Sequence, residues 1–184
     1  MNRIIVVSGP CGAGKSTFTD AYAGHMVDET GKTVYVIHGD SFHAGFVEPE
    51  NKGDFFVDGE ASDQVLWEDI LKFNWDCIIY TAGRALRQGI DVIIDYVVED
   101  ELQMVKDLAS LYNSDLYYIV LTASETELER RIRERGDLDL IERAKFLKRK
   151  LDGLSENLGH IYDNTDKSAD TMIKETELKN YKVF

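Results

Sequence analysis

Residues 3 to 18, "RIIVVSGPCGAGKSTF", carry an apolar run straight into a glycine-rich turn and then into a lysine and two hydroxyls. Ile4 to Val7 has no polar interruption, the pattern of a strand buried on both faces. Behind it, Gly9, Gly14, Lys15 and Ser16 match G-x-x-x-x-G-K-[ST], with a strand before the turn and a helical pattern after it. Such a turn lets backbone N–H groups curl around a β-phosphate, and the following helix N-terminus adds positive partial charge. The lysine reaches the β and γ oxygens, and the serine hydroxyl is offered to Mg²⁺. Nucleotide binding is therefore expected at Gly9, Cys11, Gly12, Ala13, Gly14, Lys15, Ser16 and Thr17. Cys11 offers a thiol inside the turn, but nothing else marks it as more than a tolerated side chain.

Working outward, "TVYVIHGD" at 33–40, "DVIIDYV" at 91–97 and "LYYIVLTAS" at 116–124 repeat the apolar run, and "HIYDNT" at 160–165 offers a fifth strand with its exit loop. Between them, helical period places Phe18, Ala21, Tyr22 and His25 on one face, then Ile78 to Leu86, then Leu102, Val105, Leu108 and Tyr112. Strands alternating with helices predict an α/β fold, a doubly wound parallel sheet of about five strands. Gly89 stands where a helix C-terminus wants positive φ, and Ser168 where a last helix wants a cap. The span from about Ser124 to Leu158 is helix-forming and charged, broken only at "RGDLD". With 184 residues, one domain over 1–184 is expected.

A formal net charge of −13 would repel a polyphosphate backbone or an anionic membrane, which argues against nucleic acid and membrane partners. The first apolar run is too short to span a bilayer and lacks a cleavage-site pattern, and Cys11 and Cys77 have neither metal-ligand nor disulfide-scaffold spacing. A cytoplasmic location is the expectation.

In open parallel sheets, ligands bind beyond the carboxyl ends of the strands. Asp40 ends the second run and Asp95 the third. Asp95 fits a Mg²⁺ ligand beside Ser16, and Asp40 fits the group that orients an acceptor hydroxyl and takes its proton. Each could instead cap the next turn. His43 could hydrogen-bond the acceptor or lie at the surface. Residues of about 41–71 combine many carboxylates with Phe42, Phe46, Phe55, Phe56 and Trp67 against the one base Lys52, the composition of an acceptor-site cover or of a solvated acidic loop. Arg84 and Arg87 could reach in, but the acidity favours a neutral or cationic hydroxyl compound over a nucleoside monophosphate. "NKGD" at Asn51 to Asp54 imitates a guanine reader in the wrong context, a polar loop rather than a late strand end.

"ELERRIRERGDLD" concentrates Arg130, Arg131, Arg133 and Arg135 in an acidic chain. On a helix, Arg131 and Arg135 share a face just before a glycine turn, an arrangement suited to a mobile lid over about 124–158 that closes guanidiniums on the phosphates. A salt-bridged surface helix is the alternative, since Glu127, Glu129 and Glu134 offer partners.

Together these residues resemble the P-loop small-molecule kinases, the group that includes chloramphenicol phosphotransferase, gluconate kinase and shikimate kinase. "GIDVIIDYVVED", "RERGD" and "HIYDNT" resemble segments of the first, and "HGDSFH" resembles the G-D-x-x-H of gluconate kinases. The resemblance implies ATP as donor, Mg²⁺, a catalytic aspartate matching Asp40 and lid arginines matching Arg131 and Arg135. Leu138 departs from it, standing where the antibiotic kinase has a further arginine, and the basic cluster for gluconate's carboxylate is missing. The activity expected is ATP-dependent phosphoryl transfer to a hydroxyl of a small molecule. The alternatives are a nucleoside or nucleoside monophosphate kinase and, from another class, a nucleotide-gated ATPase or switch acting on a protein partner, which would not need Asp40 at the crevice.

Overall fold

The computed structural model describes residues 1–45, 56–57, 60–61 and 67–184. Its strands are β1 (Arg3–Ser8), β2 (Val34–His38), β3 (Phe56–Val57), β4 (Glu60–Ala61), β5 (Asp91–Asp95), β6 (Asp115–Thr122) and β7 (Ile161–Asp163). Five of them form one all-parallel sheet in the order β2-β5-β1-β6-β7, while β3 and β4 make a separate antiparallel hairpin. The helices are α1 (Lys15–Thr30), α2 (Asp40–His43), α3 (Trp67–Arg87), α4 (Leu102–Leu111), α5 (Glu125–Arg135), α6 (Leu140–Gly153) and α7 (Ala169–Glu175). The expected doubly wound sheet and its five strands are all present.

Each central strand is apolar on both sides because both faces are covered. Ile4 and Val6 of β1 join Trp75, Ile78 and Leu86 of α3 and Val105 and Leu108 of α4 in one core. Ile5 and Val7 point the other way, into Phe18, Tyr22 and Met26 of α1 and Met172 of α7. The edge strand β2 has no paired strand on its outer side among the described residues and leaves Tyr35 46 % exposed.

Local chemistry sets the helix ends. α3 closes before Gly89, which takes φ +78 and lets Ile90 donate back to the Ala85 carbonyl at 3.1 Å. Ser124 caps α5 by accepting from the Glu127 amide at 3.2 Å, and Ser168 does the same for Thr171. The helix pair α5–α6 breaks after Gly136, within the segment where the sequence predicts a turn, and its satellite core of Ile132, Ile141 and Ala144 packs against Cys11 of the glycine turn.

One expectation is corrected. α3 begins at Trp67, well before Ile78, so the last part of the expected cover is helix. Ile70, Asn74 and Trp75 are buried, and that burial outweighs the acidic, aromatic composition that reads as a loop. Among the described residues, no helix is long and apolar enough to cross a membrane.

Candidate active site

The glycine turn joins the end of β1 to the start of α1. Gly9 has φ +144, and a Cβ there would lie 2.3 Å from the Leu121 carbonyl oxygen, so the turn is pressed against β6 where only glycine fits. Gly12, at φ +78, lies so close to Ile132 of α5 that a Cβ would sit 3.0 Å from Cγ1. No side chain caps α1, so its first N–H groups are left as donors suited to an anion. Ser16 and Thr17 are exposed in that first turn, and Lys15 donates to the Pro10 carbonyl at 3.3 Å, a long contact that an oxyanion would readily replace.

Arg131 reaches the turn from α5. Its guanidinium donates to the Gly12 carbonyl at 3.3 Å, to Asn164 Oδ1 at 3.0 Å and to the Asn164 carbonyl at 3.1 Å, while Nε is held by Glu127 at 2.7 Å. Asn164 is buried after β7 and donates to the Ala13 carbonyl at 2.7 Å. Glu127 also accepts from Arg130, and that bond, helped by Arg131 against the cost of burial, pulls its carboxyl down to about 2. A cavity of about 530 Å³ opens beside this cluster, bordered by Gly14, Thr17, Arg130, Arg131, Asn164 and Lys167. Arg135 is placed otherwise: it is more than half exposed and pairs with Asp137.

Asp95 ends β5 next to the turn, in register with Val7 of β1 and His38 of β2. Its carboxylate is 5 % exposed, and Oδ2 is bound by His38 Nδ1 at 2.8 Å; His38 Nε2 lies 3.1 Å from Asp20 Oδ1 of α1. Partial burial lowers the imidazole's proton affinity, but the hydrogen bond and charge of Asp95, with the charge of Asp20, outweigh it and raise the His38 pKa. Ser16 and Asp95 present only oxygen donors, a set suited to a hard cation such as Mg²⁺, which takes one or two protein ligands and fills the rest with phosphate and water.

The Gly39 amide donates to the Asp95 carbonyl at 2.9 Å, so Asp40, which opens α2 and is exposed, follows the backbone directly paired with Asp95. Gly39 itself is pressed on the Tyr96 ring, where a Cβ would come within 2.3 Å of Cδ2. Burial pushes the Tyr96 phenol up to about 12, against a hydrogen bond from Asn74, with the charge of Asp40 adding to the rise. Asn74 Oδ1 and the indole N–H of Trp75, which stacks edge-on to Tyr96, are buried without partners among the described residues. Trp75 also lines a cavity of about 290 Å³ with Leu71, Glu101 and Met104.

The geometry thus gathers the glycine turn, Arg131, Asp95 and Asp40 at the carboxyl ends of the sheet strands. Arg84 and Arg87 are not there. The five strands of the main sheet are parallel and α3 returns to the start of β5, so its last turn lies at the amino ends of the strands, where Arg87 meets the Tyr112 hydroxyl at 3.4 Å. The side chain of His43, the string 51–54 and most of the expected cover lie outside the described residues. Three residues of the site escape sequence reading: Asn164, His38 and Asp20. The only signal for Asn164 is its place just past the last strand, in "DNT".

The family model described as "AAA domain" matches residues 5–162. Guanylate kinase of Mycoplasma genitalium is 26 % identical over 146 residues, 74 % of this chain, and the match spans 58 % of that protein's length. A sugar kinase from a Janibacter species superposes with a TM-score of 0.62 at 16 % identity, covering 95 % of this chain and 91 % of the other. A gluconokinase from Sinorhizobium meliloti gives 0.57 at 20 % identity, covering 96 % and 90 %. These two structural likenesses concern the fold.

Proposed function

The chain belongs to the AAA domain family, and from that premise we propose that it is an ATP-dependent kinase that transfers the γ-phosphoryl group to a hydroxyl of a small molecule. The observation that carries this reading is the bond from the Gly39 amide to the Asp95 carbonyl, which sets an exposed aspartate, Asp40, beside the strand that neighbours the phosphate-binding turn. A nucleotide sensor has no need of a carboxylate there; a phosphoryl transferase does.

The N–H groups of residues 12–16 and Lys15 hold the β- and γ-phosphates. Ser16 and Asp95, directly or through water, hold Mg²⁺, which when bound neutralises charge on the phosphates. The nucleoside lies in the cavity between Arg131 and the loop after Asn164, which borders the turn at Gly14 and Thr17. Asp40 orients the acceptor hydroxyl and takes its proton as the oxygen bonds to the γ-phosphorus and the bond to the β–γ bridging oxygen breaks, releasing ADP. Arg131 and Arg135 serve the charge that grows on the transferring group, Arg135 after leaving Asp137. We take 1–184 as one kinase domain with α5 and α6 as its lid.

The Mycoplasma relative favours a second reading, a nucleoside monophosphate kinase. Against it stands the cation balance of the described residues. Arg84 and Arg87 are at the wrong ends of the strands, and Arg143 and Lys150 of α6 are both ion-paired with Glu99 of the loop after β5. An acceptor bearing its own phosphate finds Arg143 and Lys150 already held by a carboxylate.

Thermal unfolding with Mg²⁺ and a non-hydrolysable ATP analogue, screened against sugars, polyols, nucleosides, nucleotides and hydroxylated antibiotics, tests the reading. A shift that needs both the analogue and a hydroxyl compound is expected, on the order of a few kcal/mol at saturation. A shift with the analogue alone across the whole panel supports a nucleotide switch instead, and a further shift only with nucleoside monophosphates supports the second reading.

A further inference from the structure

His38 has no part in phosphate or acceptor binding as described above, yet both of its ring nitrogens are engaged. Nδ1 lies 2.8 Å from Asp95 Oδ2 and Nε2 lies 3.1 Å from Asp20 Oδ1. The first contact is built into the sheet, because His38 and Asp95 are register partners on β2 and β5. The second crosses to α1, where Asp20 stands one helical turn beyond Ser16 on the same face. One ring therefore joins the strand that ends in Asp95 to the helix whose first turn carries Ser16.

An aspartate at a strand end turns freely about its side-chain torsions unless something holds it. Here one oxygen is held: Oδ2 is taken by the imidazole, and Oδ1 has no hydrogen-bond partner among the described residues. Asp20 is 65 % exposed and His38 36 %, whereas Asp95 is 5 % exposed, so the chain of contacts runs from solvent inward to the buried carboxylate. Groups that bond to a metal-binding carboxylate without touching the metal orient it, and their removal typically weakens metal affinity about 10- to 100-fold.

We propose that His38 is a positioning residue, braced by Asp20, that turns the free oxygen of Asp95 toward the Ser16 hydroxyl so that both face one divalent cation. The proposal rests on the reading of Ser16 and Asp95 as the Mg²⁺ donors.

The test is titration of the full-length protein with Mn²⁺, free metal being followed by electron paramagnetic resonance, in the presence of a saturating non-hydrolysable ATP analogue. Two variants separate the ring's two contacts while keeping a polar side chain. In His38→Asn the amide nitrogen replaces Nδ1 and keeps the bond to Asp95; in His38→Gln it replaces Nε2 and keeps only Asp20. The expected result is that His38→Gln binds Mn²⁺ about 10- to 100-fold more weakly than the natural protein. His38→Asn should restore most of that loss, and both should bind the analogue without metal as the natural protein does. Natural Mn²⁺ affinity in His38→Gln, or equal losses in the two variants, overturns the positioning role while leaving the kinase reading intact. Failure of the natural protein to bind Mn²⁺ with the analogue overturns both.

Discussion

Asn164 donates its side-chain amide to the main-chain carbonyl of Ala13 at 2.7 Å, joining the loop after β7 to the glycine turn after β1. The same residue accepts from Arg131 through its side chain and its carbonyl, so one buried amide connects the turn, α5 and the border of the cavity beside Arg131. Its burial makes these bonds costly to leave unmade.

Replacing Asn164 with alanine leaves the Ala13 carbonyl and part of the Arg131 guanidinium without partners. Stability should fall by about 1–3 kcal/mol, read from the urea midpoint. Affinity for an ATP analogue should fall as well, because the turn loses the contact that fixes its carbonyl. Unchanged analogue binding would show that the turn holds its shape without this bond.

Glu127 gives α5 a pH dependence. Its carboxyl is held at about 2 by Arg130 and then Arg131, against burial, from an ordinary 4.5. A depressed folded-state pKa means the stabilisation is fully present above about 4.5 and is lost as the pH falls toward about 2. Glu127→Gln should therefore be less stable than the natural protein at neutral pH, with the gap closing as the pH approaches 2. Denaturant midpoints across that range measure it, and a pH-independent gap would contradict the assignment.

Arg131 and Arg135 should separate by assay. Arg131 is anchored to Gly12 and Asn164, so Arg131→Ala should lower both stability and analogue affinity. Arg135 is exposed against Asp137, so Arg135→Ala should stay within about 0.5 kcal/mol of the natural stability and lose turnover instead. Full turnover in Arg135→Ala would remove that residue from the chemistry.

What the sequence discloses follows the range of the interaction. The five strands are legible because burial on both faces demands unbroken apolar runs such as Ile4–Val7, and the turn because its spacing is set by phosphate geometry. The start of α3 is not legible, since Ile70, Asn74 and Trp75 become a buried face only once the sheet stands beside them. The same limit explains Arg84 and Arg87, because composition cannot say at which end of the strands a helix stops. His38 acquires its place from cross-strand register with Asp95, 57 residues away, and Asn164 from a contact with Ala13 across 151. Polar partners at such separations leave no local pattern to read.

Transfer of labelled γ-phosphoryl from ATP to the hydroxyl compound that gives the largest joint thermal shift, compared between the natural protein and Asp40→Asn, tests the central claim most directly. The natural protein should form a phosphate ester of that compound. Asp40→Asn should bind the ATP analogue normally and turn over about 10²- to 10⁴-fold more slowly. Full-rate transfer by Asp40→Asn would contradict the role given to Asp40, and release of inorganic phosphate with no ester formed on any hydroxyl compound would contradict the kinase itself.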